Sequence, residues 1–251
     1  MTAGFAGTAG ATITAITVDL DETLYPHSAY LAGAWSSLAA AAVANGVDED
    51  TAEVLRYSLT QVAVEGSDRP RLIDRALHRC GLPGSFTPAL TDALASYRPV
   101  LLELHPGVRD ALSRLRERFP VAIVTDGDPR TQRAKIAALG LESIVDTILV
   151  SDELGGRHHR TPSPTALLAA LDRFGVAPDA AVHVGDRPSR DTAAALAAGM
   201  RAIRVRSGEY ADQPDDPRPW LSCADFPAAV AALLAAAPEP DLPVTRTLRY
   251  R

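Results

Sequence analysis

The 251-residue sequence is 47% hydrophobic and carries a net charge of -6 at pH 7. Such a chain can fill one or two cored domains, and its acidity argues against a nucleic-acid ligand. It contains no run of about 18 apolar residues, so no membrane span is expected. Cys80 and Cys223 lie far apart and form no C-x-x-C, which points to a reducing, cytoplasmic setting.

The first dozen residues, MTAGFAGTAGAT, are small and uncharged. They lack the basic start and apolar stretch of a signal peptide, and residues 1–12 are expected to be disordered. A β-branched run at 13–18, ITAITV, then leads straight into D-L-D-E-T. From 27 to 100 no convincing strand is visible. Alanine- and leucine-rich helical stretches fill this interval, which reads as a compact helical insert. Beyond 106 short strands alternate with helices. VAIVT (121–125), TILVS (147–151), AAVHV (180–184) and RAIRV (201–205) are predicted strands. The helix before VAIVT places Val108, Leu112, Leu115 and Phe119 on one face, with Pro106 suited to its first turn. The next helices stop at Gly140, Gly175 and Gly199. Residues 207–222 read as loop, and 238–251 as a weakly ordered tail. Alternating strand and helix implies parallel strands with right-handed crossovers. The expected fold is therefore α/β, a doubly wound parallel sheet made of residues 13–26 and 101–237, with a small helical cap at 27–100.

In such sheets ligands bind beyond the carboxyl ends of the strands. Asp19, Thr125 and Asp186 each fall at one of those ends, and Asp191 follows near the start of a helix. Carboxylates gathered there repel one another unless a cation neutralises them. Oxygen ligands from a few strand ends suit Mg2+, which keeps several waters and accepts phosphate oxygens. Asp191 equally suits a purely structural place at a helix N-terminus.

Three motifs in this order, DLDET (19–23), VTDG (124–127) and GDRPSRD (185–191), resemble the haloacid dehalogenase superfamily, specifically its phosphatase branch. The resemblance spans about 13 to 236. It implies that Asp19 attacks phosphorus to form an aspartyl-phosphate. Asp21 then acts as acid and base and ligates Mg2+ through its carbonyl, alongside Asp19, Asp186 and Asp191. Thr125, with Asp126 and Gly127, would bind the phosphoryl group. An aspartate at position 21 favours phosphate esters over dehalogenation. The family's third motif places a lysine before a proline, and here that position is Thr161, in HHRTPSP. Arg160 is the neighbouring candidate for the missing charge, which makes it a candidate for both catalysis and substrate binding.

Lys135, the chain's only lysine, is expected at or behind the helix surface, and His158 and His159 in a solvated loop. Arg69, Arg71 and His78 could face substrate, though solvent-facing charges are the commoner reading. Tyr30 and Trp35 should pack within the insert. The expected activity is Mg2+-dependent hydrolysis of a small phosphorylated metabolite, a sugar or nucleoside monophosphate, by a monomer or homodimer. Two alternatives stay open. One is a degenerate member that binds a phosphorylated ligand or a protein partner without catalysis, and the other is a phosphomutase.

Overall fold

The computed structural model describes residues 11–66 and 71–236. The tail at 238–251, Arg69 and all but Ala11 and Thr12 of the expected N-terminal disorder lie outside them. Strand β1 (Ala15–Val18) leads into an insert of four helices: α1 (His27–Ala44), α2 (Glu49–Val64), α3 (Leu72–Arg79) and α4 (Thr87–Ser96). The chain then returns through α5 (Val108–Arg118), β2 (Val121–Thr125), α6 (Pro129–Ala138), β3 (Thr147–Val150) and α7 (Thr165–Phe174). It continues with β4 (Ala181–Gly185), α8 (Ala193–Ala197), β5 (Arg201–Val205), β6 (Leu221–Cys223) and α9 (Phe226–Ala236).

The six strands form one sheet in the order β3-β2-β1-β4-β5-β6, every pair parallel. β1, β2 and β4 are buried along their whole length. That explains why they read as unbroken apolar runs: helices cover both faces of a parallel sheet. One core layer joins the sheet to α5, α9 and the insert through Ile16, Leu112, Leu115 and Val230. The other packs α7 and α8 on the opposite face through Leu149, Leu167, Leu171 and Ala195. The strand order reverses at β1, which has β2 on one side and β4 on the other. The crevice beyond their carboxyl ends is where such sheets bind ligands.

Gly140 and Gly175 close α6 and α7 with φ of 64° and 66°, as their positions suggest. Two expectations need correction. Pro106 lies outside α5, which instead follows Gly107 at φ 77°. The loop read at 207–222 ends in the short strand β6, whose three residues are only partly buried. An edge strand so short carries too few residues for alternation to mark it. Among the described residues no helix is long and apolar enough to cross a membrane.

Candidate active site

The carboxyl ends of β1, β2 and β4 converge on one cavity of about 670 Å³, lying between the sheet edge and the insert. Asp19 follows β1 directly, and its amide is fixed to the carbonyl of Val184 on the neighbouring strand at 2.9 Å. Asp186 follows β4 and is 1% exposed. Asp191 lies in a π-helical turn, Pro188–Thr192, that carries β4 into α8. Its Oδ2 accepts the Arg187 amide at 2.9 Å, and its carboxyl carbon packs on Gly185. A Cβ at Gly185 would come within 2.5 Å of that carbon, so only glycine leaves room.

Asp19, Asp186 and Asp191 each place one oxygen within 4.8 Å of the others'. Both carboxylate oxygens of Asp186 are buried without a hydrogen-bond partner among the described residues. Burial, followed by repulsion from Asp191, pushes both Asp19 and Asp186 well above the usual carboxylate range, and Asp186 and Asp21 add to the effect on Asp19. Buried acceptors this close need a counter-charge with oxygen affinity. A hard divalent cation fits the set.

Asp21 does not join this cluster with its side chain. Its carboxylate accepts both Oδ contacts from Lys135 Nζ, at 2.9 and 3.0 Å, and the Gln132 amide at 3.0 Å. The Tyr25 hydroxyl donates to it as well, and the His27 imidazole stands 3.9 Å away. Burial alone would raise Asp21. The Lys135 ammonium, then His27 and the Tyr25 hydrogen bond, outweigh it and hold the carboxyl well below its ordinary range.

Lys135 is therefore not a surface residue. It is 3% exposed, lines the cavity and lies 4.4 Å from the centre of the Tyr30 ring. Of the two places expected for it, at the surface or behind the site residues, the structure gives the second; α6 looks exposed by composition. Gln132 and Lys135, one turn apart, form a buried polar stripe whose partner, Asp21, is over a hundred residues away. Gln132 also donates to Thr125 Oγ1 at 2.5 Å, so one amide holds both residues. Its place seven residues beyond Thr125 was the only available signal.

Thr125 is buried at the end of β2, and Asp126 and Gly127 follow it into the cavity wall. Asp126 is occupied by Thr161, whose amide and hydroxyl donate to its Oδ2 at 2.8 and 2.7 Å. The residue in the lysine position thus anchors a loop to the second motif. Arg160 lines the cavity, but its guanidinium grips Asp152 in a bidentate pair at 2.7 and 2.6 Å. His158 is exposed and its ring lies 3.9 Å from that of half-buried His159. Arg71 lines the cavity and donates to Asp74 at 3.1 Å, whereas His78 is exposed and lies away from the lining. Tyr30 and Trp35 are buried in the insert as expected, and both also reach the cavity.

The family model for haloacid dehalogenase-like hydrolases matches residues 13–199. The chain belongs to this family. It is similar to the glyceraldehyde 3-phosphate phosphatase of Methanopyrus kandleri, 34% identical over 223 residues that cover 85% of this chain and 92% of the relative. It is also similar to the ribulose-1,5-bisphosphate 5-phosphatase of Halopiger xanaduensis, 30% identical over 79% of this chain and 87% of the relative. In fold it matches a magnesium-bound HAD hydrolase of Bacillus subtilis with a TM-score of 0.66 at 18% identity, covering 88% of this chain and 99% of the other. This HAD-like hydrolase is an enzyme of the phosphoric monoester hydrolase class.

Proposed function

We propose that this HAD-like hydrolase is a Mg2+-dependent phosphatase for a small phosphorylated metabolite, working through an aspartyl-phosphate on Asp19. The reading is supported chiefly by the carboxylate oxygens of half-buried Asp19 and of buried Asp186 and Asp191, clustered at the edge of a cavity large enough for a metabolite. The relatives named for glyceraldehyde 3-phosphate and ribulose-1,5-bisphosphate agree with a substrate of that size.

Asp19, Asp186 and Asp191 would hold the ion, with the carbonyl of Asp21. When bound, it neutralises the charge that otherwise keeps an anionic nucleophile and an anionic phosphoryl group apart. Thr125 orients a phosphoryl oxygen with its hydroxyl, itself positioned by Gln132. Asp19 attacks phosphorus in line with the ester oxygen, and Asp21 delivers the proton that oxygen needs to leave. Asp21 then takes a proton from the water that opens the acyl phosphate, returning Asp19 and releasing phosphate. In the observed arrangement Asp21 is paired with Lys135 and ionised, so it must first leave that cation and take up a proton from solvent before it can protonate the ester oxygen. Movement of the insert, acting as a cap, supplies the occasion and excludes water.

Lys135 takes over in charge, though not in place, from the lysine absent at Thr161. It brings a buried cation to Asp21, the residue read as the proton donor. This favours catalysis over the alternative of a binding-only member, and Arg160, engaged by Asp152, is the weaker substitute. The two free thiols agree with a cytoplasmic setting.

A panel of phosphate esters assayed with Mg2+ and with EDTA tests the reading. Metal-dependent phosphate release that is abolished by Asp19→Asn in a folded protein is expected. Phosphate release by that variant at the wild-type rate refutes the nucleophile, and transfer to a second hydroxyl in place of release identifies a mutase.

A further inference from the structure

Behind the acidic cluster, on the β4 strand that carries Asp186, His183 is 1% exposed. Its ring spans two groups. Nδ1 lies 2.9 Å from Oγ1 of Thr17, its register partner on β1. Nε2 points to Asp191 Oδ1 at 3.6 Å, too long for a hydrogen bond, and has no partner among the described residues.

Thr17 is fully buried. If its hydroxyl donates to Nδ1, the ring proton is on Nε2 and faces a carboxylate. The opposite tautomer would set an Nε2 lone pair against that carboxylate, a repulsive arrangement. The first is therefore preferred. A buried donor without an acceptor is costly, and a small rotation of Asp191 supplies the acceptor. That rotation also fixes which Asp191 oxygen turns towards Asp19 and Asp186. Oδ2 is already held by the Arg187 amide, so His183 is the group placed to restrain Oδ1.

We propose that His183, with its tautomer set by Thr17, is a positioning residue for Asp191 and thereby for the divalent cation, an inference that rests on the metal reading above. Carboxylates that ligate metals are themselves hydrogen-bonded, and loss of such an outer partner typically weakens metal affinity 10–100-fold. A residue that merely fills the core would change stability and leave metal affinity alone.

The test is Mn2+ binding by the full-length protein, read from the free-ion electron paramagnetic resonance signal, alongside the melting temperature. His183→Leu should weaken Mn2+ binding about 10–100-fold. His183→Gln, which keeps a donor near the Nε2 position, should restore most of it. Thr17→Val, which frees the tautomer, should weaken it by a smaller factor. If His183→Leu is too unstable to assay, a Gln variant that binds like wild type and a Val variant that does not still support the relay. Wild-type affinity in both His183→Leu and Thr17→Val overturns the role of His183 while leaving the metal site standing. Failure of the wild-type protein to bind Mn2+ overturns the metal reading and this proposal with it.

Discussion

Lys135→Met is the substitution that interrogates the site most directly. Methionine keeps much of the side chain's length and its packing on Tyr30, and removes the charge. Asp21 would then be a buried carboxylate without its cation. Deleting one partner of a buried ion pair costs about 3–5 kcal/mol. Asp21 keeps its bonds from Tyr25 and Gln132, and its side chain is 18% exposed. The lower end, about 3 kcal/mol, is therefore expected. The sign with pH follows from the direction of the Asp21 shift. In the wild type its pKa is depressed, so its contribution is present above the unfolded value of about 3.9 and is lost as pH falls through the folded value. In the variant burial is opposed only by His27 and the Tyr25 bond, so the Asp21 pKa rises relative to the wild type and its ionised form is less well tolerated near neutrality. The gap between the two proteins should be widest at pH 7 and narrow steadily on acidification. Urea unfolding at pH 7, 5.5 and 4 measures it. Activity on a good substrate should fall about 10²–10³-fold, as when a preorganised charge-stabilising donor is removed. A gap that stays constant across those pH values refutes the electrostatic account, because lost packing does not titrate.

Asp19→Asn should remove activity and raise the melting temperature measured in EDTA at pH 7, because the raised pKa of Asp19 marks a charge that opposes folding above the ordinary carboxylate range. Added Mg2+ should stabilise the wild type and do much less for this variant in thermal scans. Thr161→Lys restores a lysine to the third motif but removes the hydroxyl bond to Asp126, leaving only the one from the backbone amide. With Lys135 already present, no gain in kcat/KM is expected, and a tenfold gain would show that Lys135 does not carry the charge. Arg204 is fully buried on β5, pairs with Asp215 and donates to the carbonyls of Tyr210 and Gln213. Arg204→Met should cost about 3–5 kcal/mol in urea unfolding by stranding that loop. Glu22, pushed up to about 7 by burial and then by Glu209, gives a contribution that is full below the unfolded carboxylate range and lost as pH rises towards 7. Glu22→Gln should flatten the stability profile between pH 5 and 7.

The sheet could be read from the sequence because its strands are buried on both faces and end in abrupt carboxylates. Val121–Thr125 and Ala181–Gly185 carry that signature, followed at once by Asp126 and Asp186. Asp19, Asp186 and Asp191 were legible for the same reason: each belongs to a strand end or the turn after it. What escaped is long-range and depends on side-chain direction. Nothing local in the sequence says that Lys135 crosses to Asp21, or that Arg160, though it lines the cavity, commits its guanidinium to Asp152. His183 reads as one more residue of an apolar strand, and only the β1–β4 register gives it Thr17 on one side and Asp191 on the other.

The sole lysine and its burial have a practical corollary. Every other basic side chain apart from histidine is arginine, so acylating and cross-linking reagents that seek ε-amines have one side-chain target, and it is enclosed. Reductive methylation with isotopically labelled formaldehyde would place a single side-chain label in the cavity that Lys135 lines. Its chemical shift would then follow ligand occupancy beside a single further signal, that of the methylated N-terminal amine.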